Sequence, residues 1–143
     1  MGYSITSYID KNIMSKDYKI EVWFRLICKE ISNIPSIPEW LCEAQKYWLD
    51  HVDNYVNGCF DPKLDEFLTN SERVSLFIDL CQKVYEFLKS FGDNISKEYL
   101  NSIGNYQKPF EVIEDNSADL YITYGNALIR LLKGEQEKQT ENA

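Results

Sequence analysis

The sequence predicts an all-α protein, a single-domain bundle of about five to seven helices. Three observations carry that expectation. Apolar residues recur three and four positions apart through most of the chain, which is the period of one helix face. Proline, glycine and capping residues interrupt these runs where helices should begin and end. The third is the core: 44% hydrophobic and 14% aromatic residues in 143 positions can build one, and no repeat, low-complexity tract or Pro/Ser-rich linker divides it. Residues 1–134 are therefore expected to form one helical domain, and 135–143, which are polar, a frayed tail.

The first helix is expected from Asp17. Ile20, Trp23, Phe24, Ile27, Ile31 and Ile34 share its stripe, Lys19, Arg25, Lys29 and Glu30 face elsewhere, and Pro35 ends it. A second should start at "SIPE", where Ser36 and Glu39 have capping-box spacing and Pro38 lies in the first turn, and stop at Gly58. Asp61 before Pro62 predicts a capped short helix in "FDPKLDEFL".

Thr69 and Glu72 repeat the capping-box spacing before "SERVSLFIDLCQKVYEFLKSFG". There Val74, Phe77, Ile78, Cys81, Val84, Tyr85, Leu88 and Phe91 form a stripe that Leu76, Leu80 and Phe87 widen, as a central helix requires. "ISKEYLNSIGN" reads as a short capped helix and "YQKPFEVIEDN" as irregular or weakly extended. The last helix puts Leu120, Tyr121, Tyr124, Ala127, Leu128 and Leu131 on one face, with Asn116 or Ser117 as cap. Gly125 inside it costs about 1 kcal/mol of helix propensity and permits close packing.

Charge narrows the partners. A formal net charge of −8 and a pI near 4.7 disfavour nucleic acid, because each neutralised phosphate needs a lysine or arginine; a basic partner is expected. Cys28, Cys42, Cys59 and Cys81 contain no C-x-x-C pair and the chain has a single histidine, so neither a zinc site nor any other metal or cofactor is expected. Reduced thiols, the lack of a signal peptide and the lack of a membrane span place the chain in the cytoplasm. Gly2 and Thr6 match the myristoylation pattern formally, without the polybasic second anchor that stable attachment needs.

The segment "PEWLCEAQKYWLDHVDNYVNG" holds His51, flanked by Asp50 and Asp53. On a helix, its neighbours at four residues are Tyr47 and Tyr55, whereas neither aspartate is three or four residues away. A half-buried histidine packed beside tyrosines is the expectation, rather than an acid/base or metal centre. Glycine-rich phosphate loops and nucleophile motifs are also missing, and the apolar stripes carry few acids, so no enzyme is expected.

More information lies on the opposite face. Glu39, Glu43, Lys46, Asp50, Asp53 and Asn57 alternate at spacings of four and three, which puts four carboxylates on one ridge. Residues 35–72 hold eight acids against two lysines. Asp61, Asp65 and Glu66 extend the acidic run, and Glu111, Glu114, Asp115 and Asp119 make a second group. Such acids either solvate helix ends or form a docking surface, edged here by Trp40 and Tyr47, that suits a basic cleft.

In its length, its helix content and the acidic aromatic stretch "EWLCEAQKYWLDHVDNYV", the chain resembles the small acidic immunity proteins of bacterial contact-dependent growth inhibition and other polymorphic toxin systems. It looks most like helical ones that neutralise nucleases, including EndoU-like ribonucleases. The likeness is one of profile, so no family residue transfers to a position here. It implies a cytoplasmic complex with a cognate toxin domain, whose active site or substrate groove is blocked. The acidic residues Glu39, Glu43, Asp50 and Asp53, supported by Asp61, Asp65 and Glu66, could fill a phosphate-binding cleft. The rival expectation is a helical adaptor or regulatory subunit that binds a protein through an apolar surface.

Overall fold

A computed structural model describes residues 2–104 and 115–135. Among them are six helices and two small antiparallel sheets, so the protein is mostly helical and not purely all-α. The chain opens with a hairpin, β1 (Tyr3–Tyr8) and β2 (Lys11–Lys16), which the helical expectation did not include. Its register runs from Tyr3↔Lys16 to Tyr8↔Lys11, leaving Ile9 and Asp10 as a two-residue loop. Both loop residues have positive φ, 42° and 63°, the backbone of a tight hairpin turn that Asn-Gly adopts more easily than a β-branched residue.

The hairpin turns a face inward on which polar residues alternate with Tyr8 and Ile13. Ser4, Thr6 and Ser15 are buried, while Tyr3 and Ile5 are exposed. Burial is tolerated because the hydroxyls are bonded: Ser4 donates to Asp17, Thr6 shares a hydrogen bond with the Tyr124 hydroxyl, and Tyr8 donates to the Leu68 carbonyl.

Helix α1 (Asp17–Ser32) follows directly and is buried on nearly all sides, with α2 (Glu39–Asn54), α4 (Ser71–Lys89) and α6 (Asp119–Leu132) packed around it. Phe24 of α1 meets Trp48 of α2, Phe60 and Phe77 of α4 at ring-centroid distances of 5.2, 5.8 and 6.2 Å, an aromatic centre from four parts of the chain. A short α3 (Leu64–Phe67) packs against β1 and α2. The smaller elements are β3 (Asn94–Ile95), α5 (Lys97–Ser102) and β4 (Asn116–Ser117), with β4 pairing β3.

The apolar stripes locate the long helices correctly, but the caps differ. No Ser36–Glu39 capping box forms, because Pro38 occupies the position before α2 and no side chain caps it. Asn70, not Thr69, caps α4 by accepting from the Arg73 N–H. Asp61 does not cap α3, which is preceded by Lys63 in a left-handed conformation; its carboxylate instead accepts the Lys63 N–H across a turn. Ser96 caps α5 through the Tyr99 N–H, and the Ser117 hydroxyl accepts from Asp119.

At Gly125 the close approach is real: a Cβ there would lie 2.1 Å from the buried Trp23 ring. The stretch expected to be irregular, Tyr106–Asn116, lies mostly outside the described residues, as does the tail beyond Glu135. Among the described residues, no helix is long and apolar enough to cross a membrane.

Candidate functional site

Helix α2 buries Leu41, Ala44, Trp48 and Val52 and turns Glu39, Glu43 and Asp50 to solvent, so three of the four ridge carboxylates stand where the periodicity puts them. Asp53 does not. Arg25 of α1, itself 6% exposed, bonds Asp53 at 2.8 Å and Glu21 at 3.1 Å, and Tyr55 closes the cluster by donating to Glu21 at 2.9 Å. A buried guanidinium must be paired, and Asp53 is half-buried to do it. Its charge is used inside the fold and is removed from the candidate surface.

The two aromatic residues expected to edge that surface are also committed inward. Arg73 lies over the Trp40 ring at 4.9 Å, linking α2 to α4. Tyr47 is half-buried, donates to the Asp61 carbonyl at 2.8 Å and stacks on His51 at 5.1 Å between ring centroids. His51 lies between Tyr47, Tyr55 and Phe60, and its Nε2 accepts the Asp61 N–H at 2.9 Å. Histidine and tyrosine thus hold the loop after α2 through the N–H and C=O of one residue, Asp61, and His51 is part-buried beside Tyr47 and Tyr55.

That loop brings the remaining acids to α2. Asp61 and Glu66 are exposed, and burial first, then the charges of Asp61, Glu66 and Asp50, push the Tyr47 phenol up to about 12. Carboxylates of α2, the loop and α3 thus all raise the phenol of one tyrosine. Lys63 lies 5.1 Å from the same ring as the local counter-charge. Asp65 has a further duty, accepting the Ile9 N–H at the hairpin turn at 3.0 Å.

Leu49 escaped the sequence reading. It stands 41% exposed on α2, next to Asp50 in sequence and one turn from Lys46, and offers an apolar contact at the border of the acidic ridge. Its signal was available, since it is the one leucine of α2 off the apolar stripe. Of the second acidic group, Asp115 accepts from the Lys97 N–H and Asp119 lies 3.9 Å from Lys89, whereas Glu111 and Glu114 lie outside the described residues.

Chemically the surface can attract and orient cations. Among the described residues no three His, Cys, Asp or Glu side chains are grouped to hold a metal ion. Cys28 and Cys81 are buried free thiols pushed up to about 12 by desolvation, and Cys42 and Cys59 are exposed and free. Comparison of the chain with protein-family models, with curated proteins and with solved structures finds no match.

Proposed function

We propose that this chain is an immunity protein: a cytoplasmic, non-enzymatic inhibitor that binds a cognate bacterial toxin domain, a nuclease with a basic cleft, and covers that cleft. The observation that carries the reading is the exposure of Asp50, Asp61 and Glu66 on α2, the loop after it and α3, with Asp61 tied to α2 by the Tyr47 and His51 hydrogen bonds. With Glu39 and Glu43 along the same helix, they make an exposed acidic face in which the described residues place no ion pair. A nuclease cleft that binds phosphates is its electrostatic complement, and complementary fields raise association rates. The working residues are Glu39, Glu43, Asp50, Asp61, Asp65 and Glu66, with Leu49 as the apolar contact; Trp40, Tyr47 and Asp53 hold these residues in place.

The test is survival. A toxin domain encoded immediately upstream of this gene is expressed in susceptible bacteria alone, with this chain, or with an unrelated immunity protein. Rescue by this chain alone supports the reading. A toxic neighbour that kills despite abundant folded protein removes it, and a harmless neighbour turns attention to the adaptor alternative.

A further inference from the structure

The hairpin ladder shows which backbone groups face outward. Asp17 donates its N–H to the Gly2 carbonyl, and the register continues as Ser4↔Ser15, Thr6↔Ile13 and Tyr8↔Lys11. Antiparallel pairs alternate between hydrogen-bonded and non-bonded, so these are the bonded pairs, and Tyr3, Ile5 and Ser7 turn their N–H and C=O groups away from β2. No described residue hydrogen-bonds those outward groups. Within "YSITSY" no charge, proline or bulge blunts the edge, and what lies beside it is α3 and the loop before it, with Gly58 close to the Tyr3 carbonyl oxygen.

A groove of about 640 Å³ runs beside this edge. Tyr3, Ile5 and Met14 line it from the hairpin, and Asp61 of the loop with Asp65 and Glu66 of α3 line it from beyond. Tyr3 is 42% and Ile5 47% exposed, apolar area that an added strand would cover. Each of the three carboxylates keeps at least one oxygen free of the hydrogen bonds described above; among the described residues Lys63 is the base that lines the groove, and Lys16 lies 6.0 Å from the Tyr3 ring centroid.

We propose that β1 is a docking edge for an extended basic segment of the protein partner, which adds as a third strand and directs lysine or arginine side chains to Asp61, Asp65 and Glu66. Main-chain bonds to Tyr3, Ile5 and Ser7 supply register, and the acidic wall supplies selectivity. A second copy is the weaker occupant: each carries −8, and pairing β1 with itself would bring two acidic walls together. The proposal rests on reading the chain as a binder of basic proteins, but it does not require that partner to be a toxin.

The experiment uses the full isotope-labelled chain and a synthetic decapeptide alternating lysine and valine, with backbone amide shifts as readout. Binding should saturate and move the amides of Tyr3, Ile5 and Ser7, while a glutamate–valine peptide leaves them in place. Ile5→Pro removes one outward donor without breaking a bond to β2, a position where an edge strand tolerates proline. It should weaken binding at least about tenfold. A lysine–valine peptide N-methylated at alternate residues should lose binding to the unaltered chain by the same factor, independently of how the variant folds.

The proposal is overturned if about 1 mM peptide gives no saturable shift, if the shifts lie elsewhere, or if neither proline nor N-methylation matters. Concentration-dependent shifts of the same amides without peptide would assign the edge to a second copy and overturn the basic occupant. Peptide binding together with failed rescue would remove the immunity role and leave the docking edge standing.

Discussion

Arg25 reaches from α1 to hold the Asp53 carboxylate of α2 at 2.8 Å, while its Nε bonds Glu21 one helical turn away. One guanidinium therefore joins the two most intimately packed helices and withdraws a charge from the acidic face. Arg25→Ala should lose about 3–5 kcal/mol, because Glu21 is left buried without its cation. Asp53→Ala should lose about 2 kcal/mol, with α2 keeping its solvent-facing acids. Denaturant titration checks both, and an Asp53→Ala chain that stays fully stable but loses its partner would return Asp53 to the binding surface.

The hairpin turn stores strain that can be removed. Ile9 and Asp10 hold positive φ, a conformation costing an ordinary side chain roughly 1–2 kcal/mol. Ile9→Asn with Asp10→Gly should therefore raise the melting temperature by about 2–6 °C, measured by circular dichroism. A lower melting temperature would mean that the exposed Ile9 side chain contributes more than its backbone loses.

At Gly125 two effects compete. Alanine improves helix propensity by about 1 kcal/mol, yet its Cβ would press within 2.1 Å of a Trp23 ring that is fully buried and has no room to yield. Overpacking of this kind costs about 1–3 kcal/mol, so Gly125→Ala should destabilise. Thermal unfolding of the variant decides the sign.

Alkaline pH should unfold the protein cooperatively. Burial raises Tyr47, Cys28 and Cys81 to about 12 from ordinary values of 10.0 and 9.0, and raises Tyr55, Tyr121 and Tyr124 as well. Groups raised in the folded state hold protons that the unfolded chain releases. Their contribution is complete below about pH 9 and is lost as pH rises toward 12. Tyrosinate absorbance and far-ultraviolet ellipticity followed together should change in one step; gradual tyrosine ionisation with helicity intact would contradict this.

The long helices were legible because each buries a continuous stripe, as Phe77, Cys81, Val84 and Leu88 do on α4. The hairpin was not, because its inward face mixes polar Ser4, Thr6 and Ser15 with Tyr8 and Ile13 while Tyr3 and Ile5 turn outward. Hydropathy therefore gives no clean alternation along it. Periodicity likewise placed Glu39, Glu43 and Asp50 on the surface but could not see Arg25 arriving from another helix to claim Asp53. Nor could spacing show that Tyr47 and His51 would grip the Asp61 peptide and so bring Asp61 and Glu66 to Asp50. Tertiary hydrogen bonds, invisible to local pattern, assemble the acidic face.

The most direct measurement of that face is the association rate constant with the rescued toxin domain across a range of salt, for the native chain and for Glu43→Lys/Asp50→Lys/Glu66→Lys. The account predicts an on-rate that falls steeply with ionic strength and, at low salt, drops at least about tenfold on charge reversal. An on-rate indifferent to salt, with the reversed variant binding as fast as the native chain, would contradict it.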